Sequence, residues 1–241
     1  MSIDLTPQHY FSDCHLRMYE EAHRGNADRV NALSHECRIA LDAQGSEDMT
    51  MLALAAISAD QPAIVALVKA GANPFHVIAG GGSPAVMAIN RHFNPPSIEA
   101  ISALASAGVD FNTKLNGKPY LFYFVDYAHW QGLDFALAHG GDVNAATDSG
   151  ETLLSYVIGG HHLAVARSLI STGADPSRVS RYGESPLRTL DFTISRGDPT
   201  TPEWRDHVAL RQEIIDRIPN PALRTSPFTA AAETKIEEVA Q

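Results

Sequence analysis

The sequence predicts an all-α fold, a solenoid of about six stacked helix–turn–helix repeats with short projecting turns or hairpins. Three observations predict it. The stretch from Thr147 to Val179 reads as turn, short apolar run, the Gly159-Gly160-His161-His162 turn, second apolar run, and the Gly173-Ala174-Asp175 exit. Thr50, Ser83, Lys118, Thr152 and Ser185 then stand at equivalent places, about 33 to 35 residues apart. The exit loop also recurs, as Gly71-Ala72-Asn73, Gly108-Val109-Asp110 and Gly140-Gly141-Asp142. Glycine suits the left-handed residue that ends a helix. Thr or Ser before a first helix can cap it, and Pro84, Pro119 and Pro186 supply a favoured first helical residue.

The chain divides in order as follows. Residues 1–10 are a leader, and 11–43 form a degenerate first pair whose polar character suits the exposed end of a stack. The second repeat is 44–76. The third, 77–113, gains about four residues at its interhelix turn, Arg91 to Pro96. Residues 114–146 and 147–179 are the fourth and fifth. The sixth, 180–218, expands its turn into Gly197 to Pro202 and ends on a long charged helix that suits a C-terminal cap. Pro219 and Pro221 stop that helix. The array is therefore 1–218. The tail, 219–241, is either flexible or a short helix at AAAETKIEEVA.

Composition narrows the functional classes. The formal charge of −10 opposes nonspecific binding to nucleic acid or to an anionic membrane and favours a basic partner. No apolar stretch approaches the roughly 20 residues of a membrane helix. The opening MSIDLTPQHY lacks a secretory pattern, and two cysteines, Cys14 and Cys37, are too few for a disulfide framework. These features predict a soluble, cytoplasmic chain in a reducing compartment.

The repeated pattern resembles the ankyrin-repeat family over roughly residues 12–218. Thr50-Met51-Leu52-Ala53-Leu54-Ala55-Ala56 matches the family's first helix, and Ile64-Val65 with Leu67-Val68 its second. Later repeats match through Ile101 and Leu104, Phe135 and Leu137, and Val165, Leu169 and Ile170. The family's inter-repeat histidine is replaced throughout, by Ala53, Val86, Leu121, Ser155 and Arg188, so a polar link between repeats is missing at that position. The fourth repeat departs most. Tyr120, Phe122, Tyr123, Phe124, Tyr127, Trp130 and Phe135 crowd it, with Tyr123 and Phe124 where the family has paired alanines. Those rings are either core with reshaped neighbours or binding anchors.

Chemical motifs carry less. His161-His162 falls at a turn. Cys14-His15 and His35-x-Cys37 offer four candidate zinc ligands, but adjacent helical side chains diverge by about 100°. An enzyme or metal protein using these cap residues is the alternative reading. No GxSxG elbow, HExxH or Walker loop is present. Gly80-Gly81-Gly82-Ser83 lacks the lysine of a phosphate loop, and Arg196-Gly197-Asp198 is a tripeptide that recurs by chance.

The resemblance implies a non-catalytic, cofactor-free protein that binds another protein through a concave groove. The partner would carry a basic patch, neither nucleic acid nor membrane would be bound, and the free chain would be a monomer. By position in the family, the groove and loop tips would present Glu47, Ile57, Ser58, Asn90, Arg91, Phe122, Asp126, Trp130, Asp148, Glu151, Tyr156, Tyr182 and Phe192, with Asp48 and Glu184 beside them. On a continuous helix Phe122, Asp126 and Trp130 would share one side. Small, acidic, divergent ankyrin proteins of bacteria include immunity proteins that block a cognate toxin, which is the sharper form of the expectation.

Overall fold

The computed structural model describes residues 5–78, 82–90 and 98–240. Arg91, the rest of the expanded third-repeat turn to Pro96, and Gly80-Gly81 lie outside them. The described chain forms two compact units, one of residues up to 115 with 123–140, the other of 116–122 with residues from 141 onward.

The first unit contains α1 (Pro7–Tyr10), α2 (Asp13–His23), α3 (Ala27–Cys37), a 3-10 turn (Ser46–Asp48), α4 (Met51–Ile57), α5 (Gln61–Ala70), α6 (Pro84–Met87) and α7 (Ile98–Ser106). The unit also holds β1 (Lys114–Leu115), the later part of α8 (Tyr120–Asp126) and α9 (Trp130–Ala138), whereas β2 (Lys118–Pro119) belongs to the second unit. The recurring hydroxyl residues cap the first helices. Thr50 Oγ1 accepts from Ala53 N at 3.1 Å and Ser83 Oγ from Val86 N at 3.3 Å. A cap of this kind is worth about 1 kcal/mol. Second helices start on Asn26, Asp60 and His129, whose side chains accept from Arg29 N, Ala63 N and Gly132 N. Gly71 and Gly108 exit their helices at φ +114° and +88°, where a Cβ is disfavoured.

Packing follows from the apolar stripes. α5 lies against α2, α3, α4 and α7, and α7 against α9. Leu52, Leu54, Ile64, Leu67, Ile101 and Leu104 are all fully buried. Each such side chain contributes roughly 1.5–3 kcal/mol. The aromatic substitution in the fourth repeat is accommodated across the helix pair. Phe124 is 0% exposed, and a Cβ on Gly132 would come within 2.7 Å of its ring and 2.8 Å of Ile101. The ring occupies the space that an alanine at 132 would need.

One expectation is overturned here. Cys14 and Cys37 are bonded to each other, joining α2 to α3 with their Cα atoms 6.2 Å apart. The low cysteine count argued against a framework, but a single staple needs only two, and antiparallel helices bring them together. The support for a reducing compartment goes with the free thiols, and neither thiolate is left to ligate zinc.

The second unit contains β2, the first turn of α8, α10 (Leu153–Gly159), α11 (Leu163–Ser171), α12 (Pro186–Arg196), α13 (Pro202–Arg217), a 3-10 turn (Pro221–Leu223) and α14 (Thr229–Ala240). Thr152, Ser185 and Thr201 cap α10, α12 and α13. α10 packs on α11 and α12, α11 on α13, and α12 on both α13 and α14. The last helix is pinned by a buried carboxylate. Asp191 is 0% exposed, pairs with Arg211, and accepts from Ser226 Oγ and Thr229 Oγ1, each at 2.6 Å. A buried charge needs such partners.

Polar links between repeats exist at a position other than the family's histidine. Asn112 Nδ2 donates to Gly140 O at 2.9 Å in the first unit. In the second, Asn144 Nδ2 donates to Gly173 O at 3.2 Å while its Oδ1 accepts from Asp175 N at 2.8 Å. The signal was an Asn two residues beyond the Asp of the exit loop, in Asp110-Phe111-Asn112 and Asp142-Val143-Asn144.

Candidate partner-binding surface

Residues expected on one functional face fall into different environments. In the first unit Glu47 is exposed on the 3-10 turn, with Oε1 3.2 Å from His9 Nε2. Ile57 is 1% exposed and presents no side-chain surface, because α4 is apolar around its whole circumference. Ser58 turns inward, its Oγ donating to Leu54 O at 2.7 Å. Asn90 is half-buried just beyond α6, and Asp126 is exposed at the end of α8. Trp130 is half-buried at the start of α9. Ala128 sits between them at φ +50°, which breaks the helical register that would have carried Asp126 onto Trp130.

The second unit brings more of the expected residues together. Phe122 is 0% exposed, so it is a floor and not an anchor. Tyr156 of α10 lies over it, with ring centroids 5.0 Å apart and planes tilted by 51°. Lys118 of β2 completes the arrangement. Its Nζ donates to Tyr156 Oη at 2.9 Å and sits 4.6 Å from the ring centroid. Half-buried Glu151 stands beside this pair. Burial pushes its carboxyl pKa up, neighbouring Glu184 pushes it further, and Lys118 opposes both.

The loop tips are tied to one another through their backbones. Asp148 N donates to Gly117 O at 2.9 Å, and Arg181 N donates to Ser149 O at 3.0 Å. Within each tip, Ala146 bridges Thr152, and Ser180 N donates to Glu184 O at 2.8 Å. Asp148 is exposed on the first of these tips, and Tyr182 is 70% exposed on the next. Phe192 is 40% exposed on α12, with Phe228 of the C-terminal segment packed edge-on at 5.1 Å. The histidine pair at the fifth-repeat turn is structural in position. His162 occupies the N-cap of α11, and His161 Nδ1 lies 3.2 Å from His207 Nε2 of α13.

Chemically the second unit presents rings and mixed charges. Among the described residues, no three His, Cys, Asp or Glu side chains gather in a metal-binding group. No helix is long and apolar enough to cross a membrane, again among the described residues.

No family model matches the chain. A Rickettsia bellii (strain RML369-C) protein, provisionally described as an ankyrin repeat protein, is 28% identical over 98 residues, which is 39% of this chain and 54% of the relative. The chain thus spans about half the length of that relative. The ankyrin repeat domain of human ASB11 superposes with a TM-score of 0.56 at 14% identity, covering 91% of this chain and 96% of that one. A chain from the complex of the Bdellovibrio bacteriovorus predatory endopeptidase Bd0816 with the immunity protein Bd3460 gives 0.53 at 20% identity, covering 80% and 96%. With capped helix pairs, left-handed glycine exits and tied loop tips already in place, these likenesses establish that the chain folds as an all-α ankyrin-repeat array.

Proposed function

We propose that the chain is a non-catalytic protein-binding module whose partner docks on the ring-and-charge surface of the second unit, over Asp148, Glu151, Tyr156, Tyr182 and Phe192. The observation that carries this is the Lys118–Tyr156–Phe122 stack, which holds an accessible tyrosine in one orientation on a buried floor. Pre-orientation lowers the ordering cost of association, and tyrosine is enriched among residues that dominate interfaces. Exposed Glu47 and Asp126, and half-buried Ser58, Asn90 and Trp130, belong to the same reading in the first unit.

The sharper form is an inhibitor of immunity type, which neutralises a cognate enzyme or toxin by covering it. The fold likeness to a chain from an endopeptidase–immunity protein complex supports this form. The test is affinity capture from the native cell with wild-type chain and with a Lys118→Glu, Tyr156→Ala variant. A stoichiometric partner is expected on the wild type, with binding reduced about 30-fold in the variant, the size of a hot-spot loss. Undiminished capture by a folded variant would remove the surface from consideration. For the inhibitor role, the captured partner is expressed in a host with and without this chain, and growth or partner activity should differ only when the chain is absent.

A further inference from the structure

One face of the sixth repeat gathers arginines on aromatic rings, in a chain that is acidic as a whole. The α12 residues Arg188, Phe192 and Arg196 follow one another at four-residue intervals, which places them along one helix face, and Glu184 lies just before the helix. Arg196 lies 4.7 Å over the Phe192 ring, and Arg188 lies 5.7 Å over the Phe228 ring. At the adjoining loop tip, Arg181 lies 5.4 Å over the Tyr182 ring. A guanidinium stacked on a ring keeps its N–H edge free, and that edge matches a carboxylate with two parallel hydrogen bonds. Nearby carboxylates are already engaged. Glu184 is 3.4 Å from Arg188, Asp191 is held by Arg211, and Asp198 accepts from Thr200 N at 2.9 Å, which keeps its pKa low. Among the described residues, no carboxylate pairs with Arg181 or Arg196.

We propose that this face of the sixth repeat binds an acidic segment of a partner protein, with one carboxylate on the Arg196 edge, a second displacing Glu184 from Arg188, and an apolar side chain on Phe192. The inference rests on the protein-binding reading above and adds the chemistry of the partner. Arg188 and Arg196 are eight residues apart on a helix, about 12 Å along its axis. An extended segment reaches that far in roughly four residues. The recognised pattern is therefore two Asp or Glu residues about four positions apart around an apolar one. Nucleic acid could also meet arginine and aromatic rings, but it presents charge far beyond this patch to a chain of formal charge −10.

The test uses the full chain and synthetic extended peptides. One series places two glutamates two to eight residues apart around a central leucine. A second replaces glutamate by lysine, and a poly-dT oligonucleotide is the third probe. Fluorescence polarisation is expected to show binding of the glutamate series, strongest near four-residue separation and weakened by salt. An Arg188→Glu, Arg196→Glu variant with unchanged circular dichroism should lose at least tenfold and come to prefer the lysine series. Equal or better binding of lysine peptides by the wild type, no binding by any glutamate peptide, no loss in the reversed variant, or tighter binding of poly-dT would each overturn it. Those failures leave the Tyr156 capture experiment standing. Conversely, the Lys118→Glu, Tyr156→Ala variant should titrate these peptides as the wild type does.

Discussion

Position 132 is a glycine where the Phe124 ring, His129 Nδ1 and Ile101 converge. The Phe124 ring fills the space into which a Cβ on α9 would project, so Gly132→Ala overpacks a fully buried site. We expect a loss of about 1–3 kcal/mol in chemical denaturation. Relief of that loss in a Phe124→Leu background would show that the ring is the obstacle. Glu151 provides a second residue-scale prediction. Its carboxyl pKa is raised in the folded state, first by burial and then by Glu184, so the native state holds the proton more tightly than the unfolded chain does. Ionisation then costs stability as pH rises from the unfolded carboxyl pKa, about 4, through the higher folded value. Glu151→Gln should raise the melting temperature at neutral pH, and the difference should vanish near pH 3, where both states are protonated. Local chemistry made the caps Thr50, Ser83, Thr152 and Ser185 legible in the sequence, since a hydroxyl needs only the next turn to bond. Ile57 and Phe122 were placed by repeat position alone. A repeat position does not fix how far each helix is rotated about its axis, so both turned out to face inward.

At the scale of elements, the recurring hydroxyl residues Thr50, Ser83, Thr152 and Ser185 stand at the starts of α4, α6, α10 and α12, because a cap is a strong local preference. The period did not predict how the last helix is held. α14 and the residues before it are fixed to α12 by hydrogen bonds that span 35 and 38 residues, from Ser226 and Thr229 to Asp191, and to α13 by Arg211 reaching Glu233 at 3.2 Å. Such long-range polar contacts leave no periodic trace. Asp191→Ala removes the centre of this cluster and leaves Arg211 buried beside nothing of opposite charge but Glu233. We expect a cost of about 3–5 kcal/mol, as for one broken half of a buried ion pair. Hydrogen exchange should report fast amides across 229–240, while α10 and α11 keep their protection. Slow exchange throughout α14 in that variant would mean that apolar packing by Ala232 suffices to hold the helix.

Across the whole molecule, net charge and local surface carry different information. A total of −10 points to a basic partner, whereas Arg181 and Arg196 of the sixth repeat stack on rings with no paired carboxylate among the described residues. Net charge governs long-range approach, whereas a docking face is set by its own few groups. The two views are compatible if a partner is acidic only in the segment that lands there. The aromatic crowding that marked the fourth repeat likewise resolved by depth. Tyr120, Phe122 and Phe124 are core, whereas Tyr123, Tyr127 and Trp130 are half-buried, as is Tyr156 of the following repeat.

The bond between Cys14 and Cys37 makes the handling history of a sample part of its identity. Breaking it frees a span of 23 residues and forfeits about 3 kcal/mol from the N-terminal module. Protein prepared in dithiothreitol should therefore be nicked by trypsin between α2 and α3, while air-oxidised protein resists. Two laboratories using different buffers could disagree about how long the folded domain is.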